Sequence, residues 1–407
     1  MAWVLSHGSH SVFFKLGWLL MAIGLVLTTQ VKTKRSGWVV SLSILMWAYP
    51  LGELALYIKS TPRGATGFNR ACAQPDSVRG YRWVERDIRY FKTAAGQLVF
   101  DNHFAVNKQG WVMREDYQYK KPDSLTNRWM LFGNSFSAGI MLETNLPNRL
   151  QELFDQDTAV NDEVYSFAVD GGGIMNWAQT FQHEVVPDYE FDGMIFCLFE
   201  DNLYRDLMVL QVTEETSYIG RIKPSEWDQL QSDWTKLENL DQSKLYWGDA
   251  EIQSAINHPH KPFSWPLKTQ MLSLLKGSKS GSPQQRRAAS NIDELQQKIG
   301  SDKFKLFEQM LEWCKIHGKQ VVLASVPSRT GLMNRQSEKT WHQKEMELIA
   351  GHYQLPYFDG YEVFEGNSEE VVEHYWLYHD GHWNQAGSNL YAHGLFKFLG
   401  TLPAKVE

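Results

Sequence analysis

Cysteine is scarce in this sequence, and its scarcity excludes two ways of stabilising a fold. Three cysteines occur among 407 residues, at Cys72, Cys197 and Cys314. An odd number at such wide spacing is typical neither of a disulfide framework nor of a clustered metal site. Since 43% of the residues are hydrophobic and 21% are charged, we expect an ordinary folded protein and not a disordered chain.

Positive charge is not in excess either. The chain has 40 Lys and Arg against 47 Asp and Glu, which gives a formal net charge of −7. This balance argues against a broad nucleic-acid-binding surface, so we expect no nucleic acid among the partners. The sequence also lacks a glycine-rich phosphate loop and a dinucleotide-binding fingerprint, and we therefore expect no cofactor.

Apolar residues are concentrated near the start of the chain. A transmembrane helix needs about 20 mostly apolar residues. The stretch from Trp38 to Ile58 meets that length, and Leu16 to Thr29 does so when Val12–Phe14 is added. This extended first segment contains Lys15, which must reach with its ammonium group towards the lipid headgroups. Residues 1–60 are thus predicted to form two transmembrane helices that anchor the protein in a membrane.

A cleaved signal peptide is the alternative to an anchor. Such a peptide carries basic residues before its apolar run, whereas Lys32, Lys34 and Arg35 follow the first run here. A basic loop between two helices is typical of the cytoplasmic side, so the domain that follows is expected outside the cytosol. Buried core helices of a soluble fold are a further alternative.

Beyond the predicted anchor, short apolar runs alternate with helical segments. This pattern predicts a parallel sheet that helices cover on both faces. We therefore expect an α/β fold, a three-layer sandwich whose active site lies beyond the carboxyl ends of the strands. The predicted strands are Trp129–Phe132, Glu163–Val169, Gly193–Phe199, Gln320–Val326 and Pro356–Phe358, and the predicted helices are Asn148–Phe154, Trp177–Val186, Lys303–His317 and Lys339–His352.

Composition also predicts the division into domains. Residues 61–100 are expected to be a connector. Residues 101–207 and 300–407 are expected to form the α/β domain together. Residues 208–299 interrupt the alternation because they are rich in Gln, Ser and charge and show no buried-strand pattern. We expect this segment to be a polar insertion.

Two motifs carry residues suited to nucleophilic chemistry. Ser135 follows the first predicted strand in the sequence Gly133-Asn134-Ser135, where a tight strand-to-helix turn would expose its hydroxyl group. Near the C-terminus, Asp380 precedes His382 by two residues, so its carboxylate could orient and stabilise the imidazole. Taken singly, the first motif also fits a helix cap and the second a loop-stabilising ion pair.

Candidate hydrogen-bond donors follow the next two predicted strands. Gly171, Gly172 and Gly173 offer unobstructed backbone N–H groups, and Asn202 offers a side-chain amide. Donors of this kind stabilise the oxyanion of a tetrahedral intermediate. Glycines also make turns and Asn also ends strands, so the order of the four elements together is more specific than any one of them.

Four stretches together resemble the sequence blocks of the SGNH (GDSL-like) hydrolase superfamily. They are GNSFSAG from Gly133, SFAVDGGG from Ser166, LFEDN from Leu198 and DGHWNQAG from Asp380. The resemblance covers roughly residues 100–207 and 303–399 and implies an SGNH-hydrolase or flavodoxin-like fold. It implies that Ser135, His382 and Asp380 form a catalytic triad and that Ser135, Gly171 and Asn202 form the oxyanion hole.

The chain departs from this family pattern at three places. Asn134 replaces the usual Asp. Either Asp201 or Asn202 could occupy the family's Asn position, and we choose Asn202 because an ionised carboxylate cannot donate a hydrogen bond. The last block reads Asp-x-His-Trp, with His379 as a spectator, and is similar to relatives that act on bacterial polysaccharides. Trp383 and Asn134 are expected to contact the substrate.

The resulting expectation is a membrane-anchored esterase or O-acetyltransferase that acts on a cell-surface carbohydrate or lipid ester. A transferase would also need a membrane protein that donates the acyl group. A membrane-tethered binding protein that keeps the fold without the activity is one alternative. Another is a metal-dependent hydrolase that uses His374, His379, His382 and Asp380, although their spacing fits no common zinc motif and we expect no metal.

Overall fold

A computed structural model describes residues 64–157, 161–241, 246–258, 287–333, 339–366 and 368–403. The chain forms two units. One consists of Ala65–Thr93, Leu98–Ile256 and Arg286–Glu407 and contains nearly all the elements described below. The other, Met1–Gly64 with Ala94–Gln97 and Asn257–Gln285, lies almost wholly outside the described residues.

Six strands come first in the described chain, and helices and strands are mixed after them. The strands are β1 Thr66–Phe68, β2 Ala73–Asp76, β3 Gly80–Trp83, β4 Ile88–Ala94, β5 Gln97–Phe104, β6 Asn127–Phe132, β7 Asp162–Ser166, β8 Gly193–Leu198, β9 Leu207–Val212, β10 Ser217–Ile222, β11 Gln320–Ser325 and β12 Tyr357–Phe358. The α-helices of four residues or more are α1 Ser135–Ala138, α2 Leu146–Gln156, α3 Ile174–Thr180, α4 Trp227–Asp233, α5 Asp249–Asn257, α6 Ile292–Ile299, α7 Ser301–Ile316, α8 Arg329–Met333, α9 Trp341–Tyr353, α10 Ser368–Tyr375 and α11 Gln385–Leu399.

A five-stranded parallel sheet forms the centre of the larger unit. Its strands lie in the order β12–β11–β8–β6–β7, and each neighbouring pair is parallel. All six residues of the middle strand β8 are buried, so both faces of the sheet are covered there. The five predicted strands are confirmed, although β7 ends at Ser166 and not at Val169.

Helices cover the two faces of the sheet in separate groups. α2 packs against α11, whereas α3, α7, α6 and α9 form a series of contacting neighbours. The strand order explains this division. The connection through α2 runs outward from β6 to β7, and the later connections run in the opposite direction. Because such crossovers are right-handed, the two groups lie on opposite faces. The expected α/β fold with a parallel sheet is confirmed, and α2, α3, α7 and α9 correspond to the predicted helices.

Two segments contain strands that their sequence pattern did not predict. Residues 61–100, expected to be a connector, contain β1 to β4 and the start of β5. Residues 208–299, expected to lack a buried strand, contain nearly all of β9, five of whose six residues are buried. β9 pairs antiparallel with β10, which is mostly half-exposed. β10 and the surrounding turns are polar, so the average composition of the segment gives no sign of the apolar strand β9.

The predicted transmembrane helices, within residues 1–60, lie outside the described residues. Where the structure does describe the chain, no helix is both long and apolar enough to cross a membrane.

Phe196 provides a test of the core. It is fully buried in β8, and its ring centroid lies 5.7 Å from that of Phe132 and 5.3 Å from that of Phe307. Phe196→Ala should lower the free energy of unfolding by about 3–5 kcal/mol, because apolar burial is lost and a cavity remains. Urea denaturation of the full-length protein, followed by Trp fluorescence, measures this change.

Leu125→Ala is the control for that experiment. Leu125 is 79% exposed, so its truncation should change the free energy of unfolding by less than about 0.5 kcal/mol. Equal effects of the two substitutions would contradict the placement of Phe196 in the core.

Candidate active site

The predicted nucleophile and oxyanion donors follow neighbouring strands of the parallel sheet. Ser135 comes after β6, Gly171 after β7 and Asn202 after β8. Because the carboxyl ends of parallel strands lie at one edge of a sheet, the three loops meet there. Backbone pairing continues beyond the strands, since the N–H of Val169 donates to the carbonyl of Gly133 at 3.1 Å.

Ser135 is the first residue of α1, and the local sequence explains its position. The Asn134 side chain caps this helix by accepting the Phe136 N–H at 2.9 Å. Gly133 packs directly against Ser137. A Cβ atom added at position 133 would lie only 2.2 Å from the Ser137 hydroxyl oxygen. A larger residue at position 133 would therefore push α1 away from the sheet. Ser135 itself remains 8% exposed.

Asp380 and His382 lie on the loop between α10 and α11. The Leu377 N–H donates to the His382 carbonyl at 2.9 Å, and the Asp380 N–H donates to the Leu377 carbonyl at 3.2 Å. His379 turns the chain with a φ of 53° and is exposed. This turn brings the side chains of Asp380 and His382 together.

The structure brings Ser135, His382 and Asp380 into one chain of contacts. His382 Nε2 lies 2.7 Å from Ser135 Oγ, and His382 Nδ1 lies 2.5 Å from Asp380 Oδ1. The same carboxylate oxygen accepts the backbone N–H of His382 at 2.9 Å. With its proton on Nδ1, the imidazole presents the lone pair of Nε2 to the serine hydroxyl. This is the arrangement that a general base requires.

The Asp380 carboxylate is kept ionised by its neighbours. Its side chain is 8% exposed and forms an ion pair with Lys92 of β4. Burial by itself raises the pKa of Asp380. The hydrogen bonds and charge of His382, together with the hydrogen bond from Lys92, outweigh burial, so the pKa lies below its ordinary value.

The N–H groups of Ser135 and Gly171 differ in their surroundings. The Ser135 N–H is at the start of α1, where no carbonyl of the same helix accepts it. Gly171 has a φ of +68°, which favours glycine, and its N–H interacts with the Asp170 carboxylate. Burial raises the pKa of Asp170, against the opposing charges of His382 and Arg205.

Asn202 is fully buried, and its side chain joins two loops. Its amide nitrogen donates to the Gly172 carbonyl at 2.9 Å. Its side-chain oxygen accepts the Asn134 amide at 3.3 Å and a backbone N–H at 2.6 Å. These contacts hold the loops in place, and donation from Asn202 to an oxyanion stays a prediction. Asp201, the alternative, pairs with Arg205 at 2.7 Å.

The structure gives Asn134 and Trp383 interior positions and not the substrate contacts predicted for them. Both residues are 0% exposed. Asn134 caps α1, and the Trp383 ring packs 4.9 Å from the rings of both Phe136 and Tyr391. A ring that binds a sugar must expose a face, so Trp383 supports the loop of His382 from the protein interior.

The geometry lends no support to the predicted alternative of a metal-dependent hydrolase. Within the described ranges, no three His, Cys, Asp or Glu side chains come together as a metal ion would require. His374, His379, His382 and Asp380 therefore do not form a ligand set. Both ring nitrogens of His382 face protein groups, as described above.

Sequence reasoning missed three residues around the site. Lys92 has no local motif, because its contact with Asp380 depends on the fold. The Phe136 ring centroid lies 4.8 Å from that of His382. Its position next to Ser135 in the sequence could have indicated that Phe136 belongs to the site. Arg205 donates to the Gly172 carbonyl at 3.0 Å, so two side chains, those of Asn202 and Arg205, fix the peptide between Gly172 and Gly173.

Comparisons with known proteins identify only distant likenesses. No protein-family model and no curated protein matches the chain. Among solved structures, a GDSL-like lipase from Bacteroides thetaiotaomicron matches with 12% identity, 68% coverage of this chain, 89% coverage of that chain and a TM-score of 0.32. A lipase/acylhydrolase from Enterococcus faecalis matches with 13% identity, 69% coverage of this chain, 100% coverage of that chain and a TM-score of 0.31. A variant of an acetyl-xylooligosaccharide esterase from a Geobacillus species matches with 10% identity, 69% coverage of this chain, 97% coverage of that chain and a TM-score of 0.36. At such distance, the chemistry of the site must be judged from its own geometry.

Asp380 should make the stability of the fold depend on pH. Its pKa in the folded protein lies below the ordinary value of 3.8. The ionised group therefore stabilises the fold fully above that value, and the stabilisation is lost as the pH falls towards the lower, folded value. At pH near 7 the wild-type protein should have a larger free energy of unfolding than Asp380→Asn, and the difference should shrink below about pH 4. Urea denaturation across a pH series measures it, and a difference independent of pH would contradict this.

Proposed function

We propose that this protein is a serine-dependent enzyme that cleaves acyl esters or transfers their acyl group. The chain of contacts from Asp380 through His382 to Ser135 Oγ carries the proposal. It joins a carboxylate, a base and a nucleophile in the order that acyl transfer requires. The resemblance of the surrounding sequence blocks to those of SGNH hydrolases points to the same chemistry.

The proposed reaction begins with proton transfer. His382 Nε2 takes the hydroxyl proton of Ser135 as Oγ bonds to the carbonyl carbon of the ester. The N–H groups of Ser135 and Gly171 stabilise the negative charge on the carbonyl oxygen. The imidazolium then gives its proton to the departing alcohol as the ester C–O bond breaks, and the acyl group remains on Ser135.

The acceptor in the second half of the reaction determines the class of enzyme. A water or sugar hydroxyl attacks the acyl group on Ser135, while His382 takes its proton and then returns it to Oγ. Water makes the protein an esterase, and a sugar hydroxyl makes it an O-acyltransferase. Product analysis with an acetylated glycan, with and without a competing sugar acceptor, separates free acetate from transferred acetyl groups.

The proposed substrate is a cell-surface carbohydrate or lipid ester. Its basis is the predicted membrane anchor, with the site outside the cytosol, and the Asp-x-His-Trp form of the last block. A transferase would receive its acyl group from a membrane protein. With an acetylated carbohydrate or lipid as substrate, the wild-type protein should release or transfer acetyl groups at a higher rate than with an intracellular acetyl thioester.

Ser135→Ala should reduce turnover of an aryl acetate by at least about 1,000-fold, because the nucleophile is removed. Ser137→Ala is the matched control. Its hydroxyl packs against Gly133, so its loss should leave turnover close to that of the wild type. Release of the phenol measures both rates, and circular dichroism shows that both proteins fold. Unchanged turnover in Ser135→Ala would disprove the assignment.

A membrane-tethered binding protein with the same fold is the second candidate, favoured by the altered third sequence block, Glu200-Asp201-Asn202. A fluorophosphonate probe separates the two. An enzyme should be labelled at Ser135, and His382→Ala should greatly slow labelling because the serine proton then has no acceptor. Failure to label the folded wild-type protein would favour the binding protein.

A further inference from the structure

A lysine from outside the parallel sheet contacts the carboxylate that orients His382. Lys92 Nζ donates to Asp380 Oδ2, whereas Asp380 Oδ1 faces His382. Lys92 and Asp380 are 288 positions apart and belong to the same unit. The two oxygens of one carboxylate therefore have different partners, an imidazole and an ammonium group.

The opposite face of β4 holds Lys92 in this place. Phe91 and Thr93 are buried there. Side chains alternate along a strand, so Tyr90 and Lys92 share the other face. Burial raises the pKa of Tyr90 to about 12, and the charge of Asp380 contributes to that rise. Tyr90 and Lys92 thus both lie on the side of β4 that is directed towards Asp380.

The contact between Lys92 and Asp380 lies where solvent screens charge weakly. The Asp380 side chain is 8% exposed and that of Lys92 is 29% exposed. A fully exposed ion pair contributes little to stability, but charges beside a buried group are less screened. The ammonium group fixes the second carboxylate oxygen, and it offsets part of the negative charge that acts on the imidazole.

We propose that Lys92 is a positioning residue of the active site, which acts on Ser135 only through Asp380 and His382. This inference rests on the proposed function. It assigns β4 to the site itself, although β4 lies in a segment that composition presents as a connector.

Besides His382 and Lys92, three other groups interact with Asp380. Tyr90 comes from β4, and Asp170, from the loop after β7, has a carboxyl group whose pKa is raised by burial. Arg329 of α8 donates to the Asp380 backbone carbonyl at 3.4 Å and not to its carboxylate. The effect proposed for Lys92 is therefore distinct from that of each neighbour.

Lys92→Met in the full-length protein removes the ammonium group and keeps most of the side-chain stem. For an aryl acetate, kcat should fall roughly tenfold or more with little change in KM. The acidic limb of the kcat/KM profile should move to higher pH, because Asp380 then favours the protonated imidazole more strongly. Lys92→Arg should restore both properties. Lys108→Met, at an exposed lysine paired with Asp116, is the control and should resemble the wild type.

Wild-type rates and a wild-type pH profile in Lys92→Met would overturn the inference. A loss of rate without a shift of the acidic limb would overturn it as well, because that result indicates a purely structural role. If Lys92→Met does not fold, Lys92→Gln supplies the same comparison, since it keeps a hydrogen-bond donor and lacks the charge.

Selective ¹⁵N labelling of histidine separates this inference from the proposed function. The His382 signal, assigned by its loss in His382→Asn, should titrate at a higher pH in Lys92→Met than in the wild type, whether or not an ester is cleaved. Ester cleavage by the wild type without this shift would overturn the inference alone. Two other outcomes would overturn the proposed function. In the first, the wild-type protein cleaves no ester; in the second, Ser135→Ala stays active. If the His382 signal still shifts in either case, the coupling of Lys92 to His382 is retained.

Discussion

The burial of the Asp380 carboxylate is the constraint on which the candidate site depends. A carboxylate removed from water is unfavourable unless hydrogen bonds and opposite charges replace the water. His382 supplies a ring N–H and a backbone N–H to one oxygen, and Lys92 supplies an ammonium group to the other. The ionised carboxylate then fixes the imidazole with Nε2 facing Ser135 at 2.7 Å. Each group holds the next one in the position that acyl transfer requires.

The central sheet could be predicted because its strands are buried on both faces. β8 is apolar at every position, and a run of that kind has few other interpretations. Parallel strands end at one edge, so the same pattern also predicts where the loops of Ser135 and Asn202 meet. Among the antiparallel strands, β9 also has such a run, with five of its six residues buried, but the polar residues around it hid the run. The other antiparallel strands lack one. β5 alternates buried Phe100 and Phe104 with exposed residues, and a half-buried strand of this kind is hard to distinguish from a loop.

The candidate site was predictable only where its chemistry is written in adjacent residues. Ser135 stands out in a strand-to-helix turn, and Asp380 stands out two residues before His382. Lys92 could not be found, because its contact with Asp380 joins residues 288 positions apart and the strand that carries it contains no motif. Trp383 shows the opposite error. Its place next to a motif suggested contact with substrate, whereas packing against neighbouring rings buries it completely.

A covalent acyl group on Ser135 is the most direct evidence for the proposed chemistry. The full-length protein is mixed with an aryl acetate, quenched within the first turnover, digested and measured by peptide mass spectrometry. An acetyl group should be found on Ser135, and it should form much more slowly in His382→Ala. Consumption of the ester by the wild-type protein, with no acetyl group on Ser135 at any time, would contradict the proposed mechanism.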